Sequence, residues 1–239
     1  MRRLVKSVLQ RWRKPLARNP LLTFFTVLQR LEFDPKHVVD VGANEGLWTR
    51  QAIQFFPRAR YTLIEPQDHL KQHIQDLIER GCQINWINAA VADRPGTLPF
   101  TISRRNDSSS LLPTAEQAEA AGHKRIQIEV KTLNEIVSFS GLPMPEMVKI
   151  DAEGFDLKVL TGASDLVGKT DIFFLEAAVC ARDIENTVAL VIRRMDEAGY
   201  CLVDITDLNR SPKHGVLWLC ELAFLRKESR LLDRVTSYE

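Results

Sequence analysis

The chain has 239 residues, of which 45% are apolar, enough to bury the core of one ordinary globular domain. Its formal net charge of +1 argues against a protein that binds polyanions over its whole surface. Cys82, Cys180, Cys201 and Cys220 are scattered with no C-x-x-C pair, which excludes the usual zinc and disulfide patterns and makes a reducing cytoplasm the expected compartment.

The first segment, "MRRLVKSVLQRWRKPLARNP", carries Arg2, Arg3, Lys6, Arg11, Arg13, Lys14 and Arg18 with no acid among them. Leu4, Val5, Val8, Leu9, Trp12 and Leu16 recur at roughly helical spacing. One reading is a basic amphipathic helix in peripheral contact with an anionic membrane. The other is a frayed arm, or a helix packed on the domain. The next run, "LLTFFTVL", follows Pro20, lacks a small-residue cleavage site and is too short to span a bilayer. It reads as a core-facing helix. Residues 1–36 are therefore assigned to a basic arm and helix, 37–227 to the main domain and 228–239 to a charged tail.

From residue 37 onward, strand and helix patterns alternate. "HVVDVG", "RYTLIEP" and "QINWINAAVAD" read as strands, and "LWTRQAIQFF" and "DHLKQHIQDLIERG" as the helices between them. The middle breaks the rhythm: "DRPGTLPFTIS" and "RIQIEVKTLNEIV" alternate around the polar stretch "RRNDSSSLLPTAEQAEAAGHK", a loop of the kind that becomes a lid or substrate loop. The alternation then resumes with the strand "EMVKIDAEG", the helix "FDLKVLTGASDLV", the strand "TDIFFLEAAV" and the helix "ENTVALVIRRMDEAGY". "CLVDI" and "VLWLCELAFLRK" close the pattern as an antiparallel pair joined by a short polar loop. The expected fold is α/β and Rossmann-like: a mainly parallel seven-stranded sheet, its last strand antiparallel, with helices on both faces.

In such a sheet ligands sit at the carboxyl ends of the strands. Here those ends present Asp40 with Gly42, Asn44 and Gly46, then Glu65 with Pro66, Asn88 with Ala89, Lys149 with Asp151 and Glu153, and Glu176. A phosphate-binding Gly-Lys-Ser/Thr is absent, and "GANEG" has only the outer glycines of a dinucleotide fingerprint. Glu45 within that loop would repel a pyrophosphate. An acid-ended first strand, G-x-x-x-G and an acid-ended second strand together describe a nucleoside site for S-adenosylmethionine. In it Glu65 accepts hydrogen bonds from the ribose hydroxyls, the glycines admit the methionine arm and ribose to the backbone, and Asp40 holds either the loop or the ligand's ammonium.

"VVDVGANEG", "IEP", "NAAVADRPGTLPF", "SSSLL", "VKTLNEI", "MVKIDAEGFDLKVLTGA" and "FFLEAA" occur in the order seen in the FkbM-type methyltransferases, and the likeness covers roughly residues 37 to 180. This resemblance implies a class I methyltransferase fold and methyl transfer, commonly to a hydroxyl oxygen. It also implies cofactor contacts at Asp40, Gly42, Ala43, Asn44, Gly46, Glu65 and Pro66, with Asn88 and Ala89 near adenine. One departure is "TLN", where Asn134 replaces the family's usual acid. The basic arm lies outside the resemblance.

Methyl transfer from a sulfonium is an in-line displacement, so alignment dominates, and a base helps a weakly nucleophilic hydroxyl. Asp151 and Glu153 in "KIDAEG" are the candidate catalytic carboxylates, with Lys149 on the same strand face as Asp151. Capping of the next helix is the competing role for both acids. Asp151 is also counted among the cofactor contacts. Asp151, Glu153 and Glu176 could together hold Mg²⁺, but acidic strand ends are common in cofactor pockets, so no metal ligand is assigned. His69 and His73 read as solvent-facing, Ser108, Ser109 and Ser110 as loop serines able to meet a polyhydroxylated acceptor, and His123 as a base the substrate could recruit. The expected partner is a hydroxylated small molecule or glycan, bound by the 101–125 loop and the N-terminal helix. Nucleic acid is not expected, for want of basic surface and stacking aromatics. The rival readings are an NAD or nucleotide-sugar enzyme on a similar sheet, and a non-catalytic nucleoside-binding or membrane scaffolding module.

Overall fold

The computed structural model describes residues 19–102, 111, 115–180 and 184–236. The basic segment up to residue 18 and Ser108, Ser109 and Ser110 lie outside the described residues. The first described helix, α1 (Pro20–Arg30), is started by Asn19, whose side chain accepts from the N–H groups of Leu21 and Leu22, and by Pro20 at its first position. Leu21, Phe24, Phe25 and Leu28 fall at i, i+3, i+4 and i+7 and are buried, so the helix faces the core as expected. Phe25 meets Trp48 and Phe56 edge-on, with ring centroids 5.5 and 5.6 Å apart.

Among the described residues ten strands follow: β1 (His37–Val41), β2 (Arg60–Ile64), β3 (Ile84–Ile87), β4 (Ala90–Val91), β5 (Gly96–Ile102), β6 (Lys124–Lys131), β7 (Met147–Ile150), β8 (Ile172–Ala178), β9 (Tyr200–Arg210) and β10 (Leu217–Arg226). Seven form one sheet in the order β3-β2-β1-β7-β8-β10-β9. β10 runs antiparallel to β8 and β9, and the pairs from β3 to β8 are parallel. The central strands are buried on both faces, which is why "HVVDV" and "MVKI" carry near-continuous apolar runs. Val38 joins the core under α1, α2 (Leu47–Phe55) and α3 (Gln75–Glu79). Val39 and Val41 join the opposite core with α5 (Leu133–Phe139), α6 (Asp156–Thr161) and α7 (Val188–Glu197).

The remaining helix, α4 (Ala115–Ala120), precedes β6. β4, β6 and β5 make a separate three-stranded sheet. The expected third strand is therefore cut in two. Asn88 turns out of the ladder and donates its amide to the carbonyls of Glu65 and Pro66, at 3.1 and 2.9 Å. The residues after it start the small sheet. The stretch expected as one helix after β2 is a 3-10 helix, Asp68–Ile74, followed by the short α3. β9 is twice the length that "CLVDI" suggests, because "TDLNR" continues the pairing with β10 rather than forming a loop. Asn134, the residue in place of an acid, donates to Ser164 and accepts from the N–H of Asp165, at 2.9 and 3.0 Å. A neutral amide can do both, whereas an ionised carboxylate only accepts. Among the described residues no helix is long and apolar enough to cross a membrane.

Candidate active site

The loop from β1 to α2 reverses the chain through left-handed conformations at Gly42, Asn44 and Gly46, with φ of 71°, 48° and 74°. Gly42 is required by a close approach: a Cβ there would lie 1.9 Å from the carbonyl oxygen of Asp151. At Gly46 the same atom would meet the Ile74 side chain at 2.4 Å. The two glycines thus answer first to contacts within the protein. Val41 pairs with Ile64 on one side and Ile150 on the other, so this loop lies between the ends of β2 and β7.

A cavity of about 800 Å³ opens over these strand ends. Gly42, Ala43, Asn44, Glu65, Pro66 and Ala89 line it, as do Asp151 and Glu153. Glu65 is 4% exposed; its Oε2 accepts from the N–H of Asn44 at 2.9 Å, and its Oε1 from the N–H of Gln67 at 3.0 Å. Burial pushes its pKa above the ordinary carboxylate value, opposed by those hydrogen bonds. Asp40, fully buried, does not line the cavity. It accepts from Thr49 Oγ1 at 2.6 Å and lies 3.4 Å from Lys149 Nζ, a geometry that fits holding the loop. Gly46 and Asn88 are likewise outside the lining, and Asn88 braces the β2 end as described above.

Lys149 and Asp151 share a face of β7 and its continuation, as the alternation indicates. Lys149 Nζ is 3.1 Å from Asp151 Oδ2 and 3.4 Å from the Gly42 carbonyl. Burial works against its charge, but Asp151, Asp40 and Glu221 outweigh that and raise its pKa, so it stays an ammonium. Glu153 takes a φ of 50°, uncommon for a residue with a side chain, beside Gly154 at 91°.

The cavity lining also contains residues that strand-end reasoning misses. Asn19, which caps α1, Leu21 of α1 and Trp48 of α2 are among them. Beside Glu176 of β8, expected there from the strand ends, Glu221 of β10 and Thr206, Asp207 and Asn209 of β9 also line it. The detectable signal was Glu221, one acid inside the apolar strand "LWLCELAF". Thr206 Oγ1 donates to Glu221 Oε1 at 2.5 Å. Ala90, Val91, Phe100, Leu111 and Phe155 add apolar lining. Leu111 belongs to the stretch expected to shape the acceptor pocket. His69 and His73 are exposed, as expected, and His123 is outside the lining. Among the described residues no three His, Cys, Asp or Glu side chains are grouped as metal ligands.

Burial first, and neighbouring acids second, push Glu176 up to about 10 and Asp156 up to about 8. Burial, partly offset by Lys149, raises Glu221 to about 7. Carboxyls with raised native pKa values bind protons that the unfolded chain has already released, so folding stability falls as pH rises through this window. Thermal unfolding of the ligand-free protein should show a declining Tm from about pH 5 to about pH 9, with a shallower slope in Glu176→Gln. A flat profile in the wild type would mean these carboxyls are ionised in the fold.

The sheet order and the ligand cleft over its carboxyl ends define a class I methyltransferase fold. Residues 40–202 match the Methyltransferase FkbM domain, most of the chain, and the protein belongs to that family. It is 20% identical over 161 residues to 2-O-methyltransferase NoeI of Sinorhizobium fredii, covering 63% of this chain and 66% of that protein. Methyltransferase sdnD of Sordaria araneosa is 24% identical over 160 residues, covering 54% of this chain and 60% of that protein. The chain thus spans 66% and 60% of the length of these two relatives. Among solved structures, the O-methyltransferase TomG of Streptomyces achromogenes, determined in complex with S-adenosylmethionine, superposes with a TM-score of 0.50 at 14% identity, covering 88% of this chain and 81% of that one. That likeness bears on the fold alone.

Proposed function

We propose that the protein is an O-methyltransferase, moving a methyl group from S-adenosylmethionine to a hydroxyl oxygen of a glycan or specialised metabolite. The observation that carries this reading is one continuous cavity lined by the Gly42–Asn44 loop, Glu65 and Asp151. Membership of a methyltransferase family, and a relative named as a 2-O-methyltransferase, support it.

S-adenosylmethionine, when bound, supplies the electrophilic methyl carbon and a neutral leaving sulfur. The rest falls to the chain. Glu65 receives the ribose hydroxyls. Two of its acceptor positions are held by the Asn44 and Gln67 backbone, so the longer bond from Gln67 Nε2, at 3.3 Å, is the one a diol displaces. Ala89, Val91, Phe100 and Phe155 offer the apolar slot that an adenine ring needs. Asp151 takes the proton from the acceptor hydroxyl as the oxygen–carbon bond forms and the carbon–sulfur bond breaks. Lys149 occupies its Oδ2 and leaves Oδ1 for that task. The positive Glu153 φ sets the turn that carries the chain away from Asp151 into α6.

Methyl-labelled S-adenosylmethionine, incubated with the protein and either cell-envelope glycans or small metabolites, should yield a labelled product detectable by mass spectrometry. With that acceptor, Asp151→Asn should lower kcat by about 10²–10⁴ while affinity for the uncharged product S-adenosylhomocysteine changes little. Full activity in Asp151→Asn would remove it from the chemistry. Titration by NADH but not by S-adenosylhomocysteine would favour a dehydrogenase instead.

A further inference from the structure

The sheet register places acids side by side across four adjacent strands. Ile150 pairs with Leu175, so Asp151 and Glu176 follow together; Glu176 pairs with Glu221, and Glu221 with Asp207. All four line the cavity, and a side recess of about 50 Å³ runs between them. Like charges directly opposite on neighbouring strands are destabilising. Among the described lining residues the only basic side chain is Lys149, already engaged by Asp40 and Asp151. The row is thus short of positive charge, and a cationic ligand would relieve it.

We propose that Asp151, Glu176, Glu221 and Asp207 make the cavity distinguish donor from product by charge, binding the sulfonium of S-adenosylmethionine more tightly than the neutral thioether of S-adenosylhomocysteine. This rests on the cofactor reading of the preceding section. The two molecules share the adenosine and the amino-acid arm and differ in one methyl group and one positive charge. A protein whose floor responds to that charge releases its product readily after each transfer.

The groups facing Glu176 and Glu221 are Lys149, Asp151 and Glu153 from β7 and the turn after it, Asp156 from α6, and Asp207 from β9, with the Cys220 thiol beside them. Two members of the row, Glu221 at about 7 and Glu176 at about 10, hold protons near neutrality. A bound sulfonium favours their carboxylate forms, so protons pass from Glu221 and Glu176 to the buffer as it binds. The thioether has no charge to drive that release. Discrimination therefore strengthens with pH.

Calorimetric titration of both ligands, in two buffers of different ionisation enthalpy, tests this. In the wild type the affinity ratio of S-adenosylmethionine to S-adenosylhomocysteine should rise about tenfold between about pH 6 and about pH 8, with proton release for the sulfonium alone. Glu221→Gln should flatten the rise. Glu176→Gln, or the exposed Asp207→Asn if that variant fails to fold, should lower the ratio as well. A purely structural effect changes both affinities together and leaves the ratio alone. A ratio independent of pH and untouched by these amides would overturn the proposal while the cofactor reading stands. Binding of neither ligand by the wild type would overturn both.

Discussion

Gly42→Ala should destabilise the protein by about 2–5 kcal/mol and abolish cofactor binding. Two costs combine. The residue sits at a φ of 71°, where a side chain is strained, and its Cβ would lie 1.9 Å from the carbonyl oxygen of Asp151. Neither partner can withdraw cheaply. The Gly42 N–H is bonded to Ile64 O at 2.9 Å, and the Asp151 N–H to Val41 O at 3.1 Å, so both backbones are fixed by the ladder ends. For a chain of this size the loss corresponds to a fall in Tm of about 10 °C, read by calorimetry or circular dichroism. The displacement also separates the β1 loop from Asp151, which are two walls of one cavity. Gly46→Ala makes a useful contrast. Its nearest obstacle is the Ile74 Cγ2 methyl, the end of a side chain that can shift, so the loss there should be smaller. A Gly42→Ala protein with wild-type Tm would mean that the loop and Asp151 lie farther apart than described.

Glu65→Ala should weaken S-adenosylhomocysteine binding by at least about 100-fold, equivalent to about 3 kcal/mol. The carboxylate is asked to do two things. It receives the ribose diol, and it ties the β1 loop to the turn after β2 through the N–H groups of Asn44 and Gln67. Alanine removes both roles and leaves the two backbone donors without their partner. Glu65→Gln separates them, because its amide oxygen can still accept one backbone bond while its NH₂ group faces the diol with the wrong polarity. The glutamine variant should therefore keep most of the thermal stability and still lose most of the affinity. Equal binding by wild type and both variants would remove Glu65 from the ribose site.

Most of the sheet could be read from the chain because its strands announce themselves. "HVVDV" and "MVKI" are apolar on both faces, and the acids that end them mark the side where a ligand sits. α1 was equally plain, with a capping Asn19, Pro20 and four apolar residues at helical spacing. What escaped were features set by partners distant in sequence. "TDLNR" looks like a loop until β10 offers it a full-length neighbour, and with it Thr206, Asp207 and Asn209 enter the cavity wall. The break after Ile87 depends on Asn88 reaching back to the carbonyls of Glu65 and Pro66, which no local pattern reports. Asp40 shows the limit at a single residue. A strand-ending acid is visible in sequence, but whether it faces ligand or protein depended on Thr49 and Lys149 closing over it. Gly42 was conspicuous, yet the contact that demands it, the Asp151 carbonyl, lies 109 positions further on.

The account stands on the cleft between the β1 loop, the end of β2 and Asp151 being a place for adenosine and its amino-acid arm. A crystal structure of the protein grown with S-adenosylhomocysteine examines this most directly. The expected density puts the ribose diol on the Glu65 carboxylate and the sulfur on the Asp151 side of the cavity. A saturated crystal with that cleft vacant, or with the ligand's ribose turned away from Glu65, would contradict it.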